Sequence, residues 1–194
     1  MKRTLFALLM AAAASMPLAI GASAQMMGGG TSNNNPMVGG APMYRTRNIV
    51  ENAVNSADHT TLVAAVKAAG LVETLQGKGP FTVFAPTNAA FAKLPEGTVE
   101  TLVRPENKDT LTKILTYHVV AGRYDSKKLA QLIKKGGGQA WLKTVSGGTL
   151  TARPNGMNGI TLTDEKGGTS NVTTADVYQS NGVIHVVDTV VMPN

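Results

Sequence analysis

The sequence predicts an α+β domain, because helical periodicity dominates its first half and short strands separated by Gly turns dominate its second half. A third observation locates the core: residues 81–91 hold three of the four Phe residues of the chain. Aromatic side chains bury large apolar areas, so we expect the core to be centred on this segment.

The first 24 residues have the pattern of a secretory signal peptide. Two basic residues precede an apolar run over 5–20, and the Ala-Ser-Ala sequence at 22–24 is a small-x-small cleavage site. A membrane anchor is the less favoured alternative, because Pro17 interrupts the run and about 16 apolar residues fall short of the ~20 that span a bilayer. We expect cleavage before Gln25 and a mature protein that is secreted to the periplasm, the cell surface or the medium.

Residues 25–45 are rich in Gly, Asn, Pro and Met, and none of residues 25–44 is charged. The lack of charge and of periodicity predicts a flexible linker that leads to a domain over 46–194. Thioethers can bind Cu(I), but without a neighbouring Cys or His we favour a simple tether and leave copper binding open. The Met residues concerned are Met26, Met27, Met37 and Met43.

Composition excludes several classes of protein. The chain has no Cys, which excludes disulfides and an N-terminal lipid-modified Cys. Removal of the signal peptide would leave 16 basic and 12 acidic side chains, a mild positive charge that suits acidic partners and does not indicate nucleic acid. The three His are scattered singly, and nucleophile-elbow and phosphate-loop motifs are missing, so we expect no catalysis, metal or cofactor.

The first half of the domain contains helices whose ends are marked by capping residues. Asn48 can cap the first helix and Asp58 the second, and Gly70 suits the left-handed end of the second. Apolar residues recur at helical spacing after each cap. The predicted helices cover 49–57, 58–70, 71–76, 98–103 and 106–116.

The aromatic segment itself changes from a strand to a helix. Aromatic and β-branched residues favour a strand over 81–85, which Pro86 ends because it has no N–H to donate. Thr87 or Asn88 can then cap a short helix that turns Phe91 back toward the strand.

The second half begins with a strand over 117–120 and a helix over 125–135, which three Gly residues end. Strands and Gly turns follow to the end of the chain. The last strand has apolar residues on both faces, which indicates a central, buried position. The predicted strands cover 140–145, 149–153, 160–163, 170–173, 176–179 and 183–191.

Three blocks resemble the signature segments of the fasciclin domain, in the family's order and at its usual separation. They are FTVFAPTNAAF at 81–91, LTYHVV at 115–120 and NGVIHVVDTVVMP at 181–193. The resemblance covers about 47–193 and implies a wedge-shaped β-sandwich with several helices packed along one side. It also implies a set of signature and core residues: Phe81, Val83, Phe84, Pro86, Thr87, Asn88, Phe91, Asn181, Gly182, His185 and Asp188.

The resemblance implies an adhesion or interaction module that binds a protein or an acidic polysaccharide of the envelope or matrix, and not an enzyme. Tyr117 and His118 match a pair discussed as an adhesion determinant in animal relatives, and they are one candidate binding site. A structural role is favoured for His118, because a buried His usually serves the core. The alternative function is a carrier that holds a small hydrophobic ligand or lipid in a groove of the domain.

The helix predicted over 125–135 offers a second candidate binding site. Lys127 and Lys128 lie two turns from Lys134 and Lys135, so the four side chains bracket the exposed side of the helix. A charged helix face is more often only a solvated surface. The functional hypothesis is an anionic partner: an acidic polysaccharide, a lipid headgroup or an acidic protein face.

Overall fold

The computed structural model describes residues 35–156 and 159–194. The helices are α1 (Ile49–Ala53), α2 (Thr60–Ala69), α3 (Val72–Gln76), α4 (Asn88–Ala92), α5 (Thr98–Leu102), α6 (Lys108–Tyr117) and α7 (Ser126–Lys135). The strands are β1 (Met37–Val38), β2 (Ala41–Pro42), β3 (Phe81–Pro86), β4 (Val119–Ala121), β5 (Ala140–Lys143), β6 (Thr149–Pro154), β7 (Ile160–Thr163), β8 (Thr169–Gln179) and β9 (Gly182–Val187). The predicted α+β class is confirmed.

Strands β3 to β9 form one mixed sheet in the order β4-β3-β9-β8-β7-β6-β5. β3 and β9 are parallel, and the other neighbouring pairs are antiparallel. The two ends of the sheet meet, because Val120 and Thr144 form a bridge and the Val145 N–H donates to the Val119 carbonyl at 2.8 Å. The sheet therefore bends back on itself, and its two halves form the facing layers of a wedge.

The first hydrophobic core lies between the helices and one face of β3 and β9. Val83 and Ile184 from the strands share this core with Leu62 of α2 and Leu115 of α6. All four side chains are buried. Successive side chains along a strand point to opposite sides, so the other face of β3 and β9 packs in a separate core.

The second hydrophobic core lies inside the bend of the sheet and is covered by α7. Phe84 of β3 is fully buried there with Leu150 of β6, Leu162 of β7 and Leu129 of α7. All six residues of β9 are buried as well. The prediction of a central strand with two buried faces is confirmed for β9.

The turn after β3 fixes the positions of two helices. The Thr87 hydroxyl caps α4 by accepting the Ala90 N–H at 3.2 Å, as predicted. Asn88 acts on α2 instead: its Oδ1 accepts the Thr61 N–H at 3.0 Å, and its Nδ2 donates to the Ala57 carbonyl at 2.8 Å. Asn88 therefore ties the start of α4 to the start of α2.

Among the predicted boundaries, those at Asp58 and Tyr117 are wrong. Asp58 does not cap α2, because residues 57–59 form a 3-10 turn and His59 occupies the capping position. Tyr117 is the last residue of α6 and His118 its C-cap, so the strand predicted over 117–120 begins at Val119. The helix extends this far because the His118 ring satisfies the Ile114 carbonyl at its end.

The strand predictions near the C-terminus are also wrong in part. The two short strands predicted over 170–173 and 176–179 are one strand, β8, whose register shifts before Val177. Asp176 adopts a φ of 61° at this irregularity, which allows one strand to serve both halves of the bent sheet. β9 ends at Val187 and not at 191.

Residues 36–43, predicted as linker, belong to the fold. β1 and β2 pair around Gly39 and Gly40, whose φ values of 57° and 74° suit a two-residue hairpin turn. Met43 follows the hairpin and is 2% exposed in the first core. The linker prediction is wrong here, because the Gly-Gly doublet is a turn signal. The predicted signal peptide and linker residues 25–34 lie outside the described residues.

We predict that Phe84→Ala lowers the free energy of unfolding by about 3–5 kcal/mol, because a fully buried ring is removed and a cavity remains. Against a total of roughly 5–15 kcal/mol, this loss could unfold the domain. Urea denaturation measures the change. Phe81→Ala is the matched control, because Phe81 is only partly buried and should cost less. An equal loss in both variants would contradict the position assigned to Phe84.

Candidate functional site

The three signature blocks meet in three neighbouring strands. Val83 of β3 pairs with Val119 of β4 on one side and with Ile184 of β9 on the other. Segments that are distant in the sequence therefore form one continuous centre of the sheet. This centre is buried, so most signature residues build the core rather than a surface.

Asn181 and Gly182 form the turn into β9, and both are structural. The Asn181 Oδ1 accepts the Ile49 N–H at 3.0 Å, and its Nδ2 donates to the Leu75 carbonyl at 2.7 Å. A Cβ on Gly182 would lie 2.3 Å from the Phe81 carbonyl oxygen. The close approach of β3 and β9 therefore requires Gly at this position.

Tyr117 and His118 lie in the interior, 0% and 2% exposed. The Tyr117 hydroxyl donates to the Thr149 carbonyl at 2.8 Å. The His118 Nδ1–H donates to the Ile114 carbonyl at 2.8 Å, and its Nε2 accepts the Val191 N–H at 3.2 Å. Both ring nitrogens are occupied, which fixes the neutral tautomer. The structure thus does not place this pair on a binding surface, and its burial fits the structural role.

Burial controls the protonation of these interior groups. Desolvation raises the pKa of Tyr117 to about 12 and lowers the pKa of His118 to about 4. Desolvation also lowers the pKa of His59 and of His185. The fold therefore favours the neutral form of every His in the chain.

The lysine residues predicted from the sequence form an exposed surface on α7. Leu129 and Ile133 of this helix are buried in the second core. The Lys128 Nζ lies 4.5 Å from the centre of the Tyr124 ring, a cation–π contact that orients one of the cations. We call this the lysine surface, and its members are exposed: Lys127, Lys128, Lys134 and Lys135.

The start of α7 is anchored by side chains of β8. Asp125 caps the helix by accepting the Lys128 N–H at 2.8 Å, and it also accepts the Tyr178 hydroxyl at 3.2 Å. The Asp176 carboxylate accepts the Ser126 N–H at 2.7 Å. The left-handed conformation of Asp176 aims its carboxylate at this helix.

His185 connects the same anchor to the core. Its Nε2–H donates to the Tyr124 carbonyl at 2.7 Å, and its ring stacks on Phe84 with 5.6 Å between the centroids. The signature His thereby holds the segment that enters α7 and helps to position the lysine surface. The signature pattern includes His185 but not Asp176, for which the only signal in the sequence was the break between two predicted strands.

Asp188 stabilises the end of β9 near the surface. Its carboxylate accepts the Asn171 N–H at 2.8 Å and lies 3.9 Å from the Lys93 Nζ. Partial burial acts to raise the pKa of Asp188, but the hydrogen bonds from Asn171 and Thr189 and the charge of Lys93 outweigh it and lower the pKa. These local contacts indicate a structural role.

An apolar cavity of about 80 Å³ lies in the first core. Leu62, Val66 and Ile184 contribute to its wall, and so does His59. The His59 Nδ1 lies 2.8 Å from the Ser56 hydroxyl, whereas its buried Nε2 has no hydrogen-bond partner among the described residues. An apolar cavity of about 150 Å³ holds one benzene molecule, so a volume of about 80 Å³ is too small for a lipid chain.

Within residues 35–156 and 159–194, no three His, Asp or Glu side chains gather as metal ligands. Of the Met residues considered for copper, Met37 is 61% exposed and Met43 is 2% exposed, so the hairpin does not present them together. Met26 and Met27 lie outside the described residues. No helix in the described part has the length and apolar character needed to cross a bilayer.

Comparison with known proteins gives a consistent result. The sequence profile of the fasciclin domain matches residues 57–193. The chain is 45% identical to Protein sll1483 of Synechocystis over 163 residues, 84% of this chain and 83% of that protein. It is 35% identical to the cell surface glycolipoprotein MPB83 of Mycobacterium bovis over 123 residues, 63% of this chain and 48% of that protein.

The fold resembles that of a solved FAS1 domain pair from the insect cell adhesion molecule fasciclin I. The TM-score is 0.66 at 19% sequence identity, and the match covers 74% of this chain and 50% of the other. At this identity the likeness concerns the fold, which agrees with the architecture described above.

We predict that the free energy of unfolding decreases as the pH falls from about 6.5 toward 4. The folded pKa of His118, about 4, lies below its ordinary value of 6.5, so the unfolded chain binds more protons in this interval. The difference corresponds to at most about 3 kcal/mol for His118, and His59 and His185 act in the same direction. Urea denaturation across this range measures the effect.

The His118→Gln variant is the control for this pH dependence. It should be less stable than the wild type at neutral pH, because it loses hydrogen bonds, but its stability should vary less steeply with pH. An unchanged slope would show that His118 does not contribute to the acid sensitivity.

Proposed function

Because the chain belongs to the fasciclin domain family, we propose that it is a non-catalytic interaction module outside the cytoplasm that binds an anionic partner. The partner is a protein or an acidic polysaccharide of the envelope or matrix. The observation that carries this proposal is the lysine surface, which is exposed on a helix whose start is anchored to β8 and β9.

The placement of the four cations supports binding over simple solvation. Lys134 and Lys135 lie in the last turn of α7, where the helix dipole favours a positive charge. Lys127 and Lys128 lie in the first turn, where a cation typically costs about 0.3–1 kcal/mol. Asp125 offsets part of that cost as the N-cap. Helix stability does not favour the charges of Lys127 and Lys128, which supports a role for them in binding a partner.

The small volume of the cavity in the first core weighs against the carrier function. A lipid carrier needs a groove or cavity that covers most of its ligand. The cavity near His59 has a volume of about 80 Å³. We therefore favour the interaction module over the carrier.

The extracellular location rests on two observations. The sequence begins with the pattern of a cleaved signal peptide, as argued above. The relative MPB83 is described as a cell surface protein and fasciclin I as a cell adhesion molecule. Both agree with a module that meets its partner at the envelope or beyond.

We predict that replacing the four residues of the lysine surface by Gln weakens retention on an anionic matrix about tenfold or more, since each exposed ion pair contributes roughly 0.2–1 kcal/mol. The retention of the wild type should fall as salt is raised, because a Debye length of ~8 Å at physiological salt screens exposed charges. Stability should change little, because Leu129 and Ile133 are untouched.

A matched variant removes the same charge elsewhere. Its four substitutions to Gln are at other exposed lysines: Lys67, Lys78, Lys108 and Lys166. Both variants have the same net charge. If the lysine surface is the binding site, its variant should lose retention and the matched variant should keep it. Equal retention of the two variants would mean that only net charge matters, and the lysine surface would not be the binding site.

We predict that the exported protein begins at Gln25, because the Ala-Ser-Ala site ends at residue 24. N-terminal sequencing of protein recovered from the periplasm or the medium tests this directly. Substitution of Ala24 by a bulky residue should impair or shift the cleavage, since the site requires small side chains. An intact Met1 in exported wild-type protein would contradict the prediction.

A further inference from the structure

The outer face of β5, β6 and β7 carries the most exposed aromatic side chain of the described residues. Trp141, the only Trp in the chain, is 62% exposed in the middle of β5. Its neighbours Ala140 and Leu142 are buried in the second core, so strand alternation directs Trp141 and Lys143 to the opposite side. This outer face is therefore distinct from the lysine surface, whose helix covers the inner side.

Polar side chains surround Trp141 on this face. Thr151 of β6 lies directly opposite Trp141, and Thr163 of β7 lies opposite Thr151. Thr149 is opposite Lys143 at one end of the row. Directly opposed residues on one face are within side-chain contact distance, so the indole lies beside a band of hydroxyl groups.

Cations lie on both sides of Trp141. The Arg153 guanidinium donates from Nε and Nη2 to the Gln139 Oε1, at 3.2 and 2.9 Å, which holds it beside the strand position two residues before Trp141. Lys143 follows two residues after Trp141. Two residues of a strand span about 6.7 Å, so Arg153 and Lys143 occupy the strand positions on either side of Trp141 along this face. Glu165 borders the row, where its carboxylate accepts the Thr149 N–H at 2.9 Å.

We propose that this row of Arg153, Trp141 and Lys143 is a binding site for an acidic polysaccharide. One face of a pyranose ring consists of C–H groups and can pack on the indole, while the Thr hydroxyls can exchange hydrogen bonds with sugar hydroxyls. The carboxylates of the adjoining uronate residues would pair with Arg153 and Lys143. This inference rests on the proposed function for the class of partner and assigns the polysaccharide to a second site.

The surface fits this occupant better than a protein or a membrane. A specific protein interface requires several buried anchors over roughly 1,200 Å² or more, and Trp141 stands among Thr, Lys and Arg side chains. Insertion into a lipid surface requires a continuous apolar face, which this row lacks. A hydroxyl-rich strand face with one aromatic ring and flanking cations is complementary to an extended, charged sugar chain.

The unmodified protein reports on this site by itself, because its fluorescence comes from a single Trp. We expect titration with a galacturonic acid hexamer to change the Trp emission in a saturable manner, and added salt to weaken the effect. An uncharged xylose hexamer should bind at least tenfold more weakly. If the emission responds to vesicles of anionic phospholipid and not to the hexamer, the site is a lipid surface and the inference is wrong.

Variants separate this site from the lysine surface. In affinity electrophoresis through polygalacturonate, retention should fall at least tenfold for Trp141→Ala and for the double variant Lys143→Gln/Arg153→Gln. The retention of Trp141→Phe should lie between that of the wild type and that of Trp141→Ala. Val145→Ala is the matched control, since Val145 is an exposed apolar residue outside the row. The exposure of Trp141 predicts little change in melting temperature.

The two proposals fail in different ways. If the wild type is retained by polygalacturonate but the hexamer leaves the Trp emission unchanged, or if Trp141→Ala is retained like the wild type, this inference is wrong and the proposed function stands. If the wild type binds neither polygalacturonate nor any other anionic matrix, the proposed function fails as well. If the lysine-surface variant keeps the full fluorescence response, the assignment to the Trp141 row is supported.

Discussion

The parallel pairing of β3 with β9 is the constraint on which the rest of the structure depends. Each strand supplies side chains to both cores: Val83 and Ile184 face the helices, while Phe84 and Val187 face the bent half of the sheet. Neither layer would have a continuous interior without these two strands. The pairing requires that Gly182 has no side chain, since a Cβ there would clash with the opposite strand. One backbone contact thus controls the packing of two layers.

The parts of the fold that depend on near neighbours could be predicted from the sequence. The strand before Pro86, the Thr87 cap and the helix α7 follow from residues a few positions apart. The end of α6 could not be predicted, because His118 reaches a backbone group near the C-terminus, far away in the sequence. The hairpin before Met43 was missed for a different reason, since its Gly-rich composition also suits a linker.

In the candidate binding surfaces, too, local features could be predicted from the sequence and long-range contacts could not. The lysine surface was visible as a charge pattern on a predicted helix, and its orientation followed from helical geometry. Its anchor was not visible, because the contact of Asp176 with Ser126 joins a bulge to a helix start. Trp141 was within reach of sequence reasoning: it alternates with buried neighbours in a predicted strand, and alternation alone indicates an outward side chain. What sequence alone could not supply was the identity of its cross-strand neighbours.

The bridge between Val120 and Thr144 has a consequence for how such a domain behaves when many copies stand close together. Open sheet edges expose unpaired N–H and C=O groups, and these groups can recruit strands from other molecules and start fibre formation. Here the two edge strands contain three and four residues, and their ends are joined to each other by the bridge. The fold therefore leaves little free edge, which limits strand-to-strand association between molecules at high concentration.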